Sequence, residues 1–166
     1  MESHELPPTK GGILVYIDGS DTCITAAQYA ILLAKSLAKP LTAIYVVDTK
    51  VLADLIKARI FVKEEAFDYE YDLQQDGKRY LSYVEQLARA KGVGCTSQIL
   101  SGEVNVEVLK KADELDAEIL VLNELEAHLS RKESHFDEKE RIMRRAKCPV
   151  VIAKNEEKVA SLYEAL

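Results

Sequence analysis

The chain has 166 residues, 48% hydrophobic and 30% charged, ordinary values for a single globular domain. A formal net charge of −6 argues against nucleic-acid or anionic-membrane partners, which need basic surface. No apolar run approaches the roughly 20 residues that span a bilayer, and three scattered cysteines without C-x-x-C spacing are expected as reduced thiols in a cytoplasmic protein.

Residues 1–10 carry no apolar signal core and are expected to form a flexible lead. "GILVYID" (12–18) is a near-continuous apolar run, the pattern of a strand covered on both faces. Ser20 or Asp21 is expected to cap a first helix whose stripe is Ile24, Ala27, Ile31 and Ala34, closed by Pro40. "LTAIYVVD" (41–48) is a second buried strand, which makes a parallel, right-handed βαβ unit the simplest connection. Residues 49–75 are the least patterned. "VLADLIKARIFV" suggests a short helix and "FDYEYDLQQD" mixes aromatics with acids, so this variable insert is expected to combine local helix with mobility.

From about Asp76 the pattern is helical, with Tyr80, Val84, Leu87 and Lys91 on one face and Gly92 as terminator. "GCTSQIL" predicts a third strand, and Val104, Val108, Ala112 and Leu115 form the stripe of the next helix. "EILVL" is the fourth strand, Asp137 is expected to start a short helix containing Ile142, Met143 and Ala146, and "PVVIAK" is the fifth strand. The tail 155–166 reads as an amphipathic helix with an Asn cap and with Val159, Leu162, Tyr163 and Leu166 at helical spacing. Its target is either its own domain or a second subunit. Strands alternating with helices over 11–154 predict an open, doubly wound parallel α/β sheet.

Little catalytic chemistry is legible. His128 and His135 with Glu126 and Glu133 lack a ligand pattern, so no metal is expected. Ser130 and Ser134 have no orienting acid, and nothing near Cys148 fixes a base beside it. Arg141, Arg144, Arg145 and Lys147 suit a helix C-terminus and solvent better than a phosphate backbone.

Three pieces in order resemble the universal stress protein family: "ILVYIDGSDTCITAAQYA", "ILSGEVNVEVLKKADELDAEILVLN" and "RIMRRAKCPVVIAK". The resemblance covers roughly residues 11–154. It implies a Rossmann-like, HUP-type five-stranded parallel sheet in the order 3-2-1-4-5, with two helices on each face. It also implies a homodimer joined through the terminal strand, where Val150, Val151, Ile152 and Ala153 offer an apolar edge.

Family members that hold ATP share a Gly-x-x-Gly-(nine residues)-Gly-Ser/Thr stretch after strand four, where bare backbone approaches the phosphates. Laid on this chain without a gap, the motif positions are Asn123, Glu126, Phe136 and Asp137. The spacing survives and every glycine is gone. Glu124, Glu126, Glu133 and Asp137 add negative charge, each like-charge contact at ~4 Å costing about 1 kcal/mol in water. Asp137 is also expected to cap the helix and occupy the amides an anion would use. Arg131, Lys132, His135 or Mg²⁺ offset part of the charge but cannot restore the backbone approach. ATP bound in the family's usual manner, or any other cofactor, is therefore not expected.

The other half of the crevice is Asp18, Gly19 and Ser20, with Val46 or Val47 and Gly102. By resemblance, Asp18 and the valine face adenine and ribose. Alternatively, Asp18 and Ser20 satisfy amides of the loop and helix start, and Gly102 serves a tight strand-to-helix turn. Two functions follow. One is a regulatory domain in the stress response, acting through dimer surfaces and an unidentified protein partner. The other is a sensor that holds ATP or AMP with Mg²⁺, or another small metabolite, in the Asp18 crevice. Neither makes it an enzyme.

Overall fold

A computed structural model describes residues 10–125 and 134–166, with the backbone alone for 134–137. The elements in order are β1 (Ile13–Tyr16), α1 (Cys23–Leu37), β2 (Leu41–Asp48), α2 (Thr49–Lys57), α3 (Lys63–Ala90), β3 (Cys95–Gly102), α4 (Val104–Leu115), β4 (Ile119–Asn123), α5 (Ser134–Arg145), β5 (Val150–Ala153) and α6 (Glu156–Glu164). The strands form one parallel sheet in the order β3-β2-β1-β4-β5, as expected. Its longest ladder joins β2 to β3 from Leu41↔Cys95 to Asp48↔Gly102.

Side chains alternate across the strands and feed two cores. Val15, Ile17, Tyr45 and Val47 face one way and meet Ile31 of α1, Val84 of α3 and Tyr163 of α6. Leu14, Tyr16, Ile44 and Val46 face the other way and meet Val108 of α4 and Ile142 of α5. Ile31 and Ile142 are wholly enclosed, and burial of such a side chain contributes about 1.5–3 kcal/mol. The stripes expected on the first and fourth helices are buried, except that Ile24 is only partly covered.

Three local expectations need correction. The residue before α1 is Thr22, which makes no side-chain cap. Ser20 turns back to Asp18 instead, because the tight turn after β1 takes its hydroxyl and amide. The helix expected from about Asp76 begins at Lys63 and runs 28 residues, roughly 42 Å. Its first half shows no apolar stripe because Ala66 is the one buried residue there, while Phe67 and Tyr71 are exposed. Finally, α5 starts at Ser134, so position 137 lies inside the first turn and not at the cap.

The C-terminal helix docks on its own domain, beside α1. Asn155 caps it by accepting from Lys158 N at 3.1 Å, and Val159 and Tyr163 are its buried residues. Tyr163 Oη donates to Leu87 O of α3 at 2.7 Å, with Lys91 Nζ 4.8 Å above its ring. A buried phenol thus keeps a partner, which fixes the helix in place.

Candidate functional site

The carboxyl ends of β1 and β4 part at the switch point of the sheet, the usual place for a ligand in open α/β folds. Asp18 stands there, just past β1. Its Oδ1 accepts from Ser20 N at 2.9 Å and Ser20 Oγ at 2.6 Å. Gly19 between them has φ +77°, a left-handed conformation that glycine adopts without strain. Asn123, fully buried at the end of β4, donates to Ser20 Oγ and Thr22 Oγ1, both at 2.8 Å. A side chain therefore fills the space between the two strand ends at the first position of the glycine motif.

The second oxygen of Asp18 is also taken. Lys139 of α5 places Nζ 2.7 Å from Asp18 Oδ2, with only 8% and 10% of the two side chains exposed. Burial alone would raise the Asp18 pKa, but the Lys139 ammonium and the bonds from Lys139 and Ser20 outweigh it and hold the carboxyl below its usual range. Next to Lys139, the buried Glu138 carboxylate accepts from Asn105 N at 2.6 Å and Asn105 Nδ2 at 2.8 Å. A helix N-terminus attracts anions, and at α4 the chain supplies its own.

On the far side of Asp18 lies a cavity of about 620 Å³. Its floor is the sheet end, with Tyr16, Gly19, Tyr45 and Val46; Leu52 of α2 and Leu73, Tyr80 and Tyr83 of α3 wall it. Tyr80 Oη donates to Gly19 O at 3.0 Å, so α3 is tied directly to the turn after β1. Gly77 lets the same helix lie against the Tyr45 ring. A Cβ at that position would stand 2.6 Å from Tyr45 Cδ1. Burial, followed by the charges of Asp76 and Tyr80, pushes the Tyr45 phenol up to about 12, so it stays a neutral hydroxyl near pH 7.

The structure gathers Asp18, Gly19, Ser20 and Asn123 into one cluster, of which Asp18 and Gly19 line the cavity together with Val46. Val47 points into the opposite core. Gly102 closes β3 over the Glu107 side chain and is not among the residues lining this cavity. Glu126 lies outside the described residues, as do His128, Ser130, Arg131, Lys132 and Glu133; of Phe136 and Asp137 only the helical backbone is described. The sequence reading missed Lys139, Glu138 and Asn105, whose polar identities at inward helical positions were the available signal. It also missed the cavity tyrosines, although the aromatic-acidic run 67–76 pointed toward them.

Other candidates settle into ordinary roles. Cys23, Cys95 and Cys148 are free thiols, and burial pushes Cys23 to about 11 and Cys95 to about 12, far from the thiolate needed for nucleophilic chemistry. Among the described residues no group of His, Cys, Asp and Glu is placed to hold a metal. Three of the four cations in the basic cluster are engaged with carboxylates: Arg144 with Glu140 at 2.8 Å, Arg141 with Glu138 at 3.5 Å and Lys147 with Asp113 at 3.4 Å. No helix among the described residues is long and apolar enough to cross a membrane.

Comparison with known proteins follows the same lines. A sequence model of the universal stress protein family matches residues 12–154. Universal stress protein MJ0531 of Methanocaldococcus jannaschii is 27% identical over 147 residues, which is 88% of this chain and 83% of that protein. A universal stress protein structure from Burkholderia pseudomallei superposes with a TM-score of 0.59 at 24% identity, covering 84% of this chain and 92% of its own. One from Archaeoglobus fulgidus, solved in complex with dAMP, superposes with a TM-score of 0.60 at 18% identity, covering 86% and 97%.

Proposed function

The chain belongs to the universal stress protein family, and from that premise we propose that it is a cytoplasmic, homodimeric regulatory domain of the stress response that does not hold ATP in the family's usual manner. It acts through its surfaces and a protein partner, and we assign it no catalytic step. The observation that carries this reading is the enclosed Asp18–Lys139 pair. An adenosine ribose reaching for Asp18 meets a carboxylate whose two oxygens are already occupied. Separating a buried pair leaves an uncompensated charge and costs about 3–5 kcal/mol. On the phosphate side, Asn123 stands where bare backbone is required, bonded to Ser20 and Thr22. The residues present do not fit a triphosphate held in that way.

Titration calorimetry with ATP, ADP and AMP, with and without Mg²⁺, tests the reading on the intact chain. The expected result is no heat of binding for ATP. Saturable ATP binding that Asp18→Ala abolishes would overturn it.

A second reading, a small-ligand sensor, is favoured by one observation: the cavity of about 620 Å³ beside Asp18 has the size of a small-molecule site. The dAMP complex of the Archaeoglobus relative makes AMP the natural first comparison.

A further inference from the structure

We propose that the cavity between the carboxyl ends of β1 and β2 and the inner face of α3 is a binding site for a small organic cation, such as a quaternary ammonium. The inference rests on the second reading above and assigns its ligand a chemical class that neither adenine nor phosphate belongs to.

Aromatic rings come first. Tyr16 and Tyr45 from the sheet and Tyr69, Tyr80 and Tyr83 from α3 line one cavity, five of the eight tyrosines in the chain. Ring faces carry the negative end of the aromatic quadrupole and attract an ammonium, most strongly where water is thinned out. Tyr16 and Tyr45 are almost enclosed, at 4% and 6% exposure, while Tyr69 and Tyr83 stand at the mouth at 45% and 47%. A cation entering between them passes from half-wet to dry aromatic surface.

Charge points the same way. The lining carries three carboxylates, Asp18, Asp48 and Asp76, and one guanidinium, Arg79; Asp18 and Asp76 are each compensated by a cation, so the wall is acidic without a large net charge. Arg79 is mostly in solvent and pairs with Asp76. Lys139 does not line the cavity and is held on Asp18. Asp48 also accepts from Val51 N at 3.0 Å as the cap of α2, which fixes its carboxylate at the wall. The field of these acids is felt by the phenols. Burial first, then Asp18 and Asp48 among other groups, raises Tyr16, and burial followed by Cys23 and Asp76 raises Tyr80. Burial opposes charge of either sign, and only the acids' share of these shifts distinguishes the two, working against a phosphate and for an ammonium.

Size and shape agree. About 620 Å³ exceeds what a methyl-sized gap or a few waters require and lies within the range of small-ligand pockets. The long helix forms much of the wall, so the site is built by the segment with the weakest pattern in the sequence.

Ligand-observed NMR and calorimetry on the full chain test the proposal with four probes: choline, its neutral isostere 3,3-dimethyl-1-butanol, adenosine and AMP. Choline is expected to bind at least about ten-fold more tightly than the isostere. Tyr83→Leu, at a half-exposed position, weakens choline about five-fold or more, Tyr83→Phe keeps the ring and most of the affinity, and Tyr71→Leu, outside the cavity, changes nothing. Equal affinity for choline and the isostere overturns the cation assignment. Binding of adenosine or AMP without choline also overturns it while leaving the sensor reading intact. If none of the four binds, both fall.

Discussion

At the scale of single residues, the chemistry of this domain turns on what Asp18 touches. In an open site its carboxylate would be available to a ligand; here Lys139 reaches it from the opposite end of the chain at 2.7 Å. Asp18→Asn and Lys139→Met are each expected to destabilise the fold by about 3 kcal/mol, since each strands the other member of a buried pair. The double variant should cost less than the sum by about 1 kcal/mol or more. Denaturant unfolding of the four proteins measures this, and strict additivity would contradict the pairing. The pH dependence has a definite sign. The folded pKa of Asp18 is depressed, so the pair stabilises fully above the unfolded carboxyl value near 4, and its contribution is lost as pH falls through the folded pKa. The stability gap between wild type and Asp18→Asn should therefore narrow below about pH 4. A gap that stays constant from neutrality to pH 3 would speak against it.

At the scale of elements, α3 shows how packing overrides local pattern. Its buried residues are Ala66, Gly77, Leu81, Val84 and Ala88, so the apolar signal is concentrated in the second half. Gly77 normally weakens a helix, and replacement by alanine gains roughly 1 kcal/mol in propensity where space is free. Here a Cβ would meet the enclosed Tyr45 ring at 2.6 Å from Cδ1 and 2.9 Å from Cε1. Overpacking of that kind costs about 1–3 kcal/mol. Gly77→Ala is thus expected to lower the melting temperature, with the Tyr45 ring driven toward the cavity. A raised melting temperature would mean that α3 sits further from β2 than described.

At the scale of the whole molecule, the sheet leaves its last strand at an edge. Among the described residues, β5 pairs only with β4, from Leu120↔Val150 to Asn123↔Ala153. Val150, Val151 and Ile152 are all half-covered, two leaning toward the α4–α5 core and one toward the α1 core. An unpaired, β-branched edge favours strand addition by an identical copy. Docking of α6 on its own domain leaves β5 as the element we propose for the dimer. Val151→Lys with Ile152→Lys should shift the mass in light scattering from dimer to monomer while the far-UV dichroism stays unchanged. An unaltered dimer mass would exclude this strand as the seam.

The sequence by itself determined the strand–helix alternation, the extent of β2 over Leu41–Asp48, the buried stripes of α1 and α4, and the absence of glycine at the motif positions. These are local properties, because apolar periodicity records the environment of one element at a time. Tertiary structure alone decided that Lys139 neutralises Asp18, that Glu138 occupies the start of α4, that α3 walls a tyrosine cavity, and where α6 lies. Each depends on groups from distant segments meeting within a few ångströms, and a polar residue's own letter does not reveal which partner desolvation will force it to find.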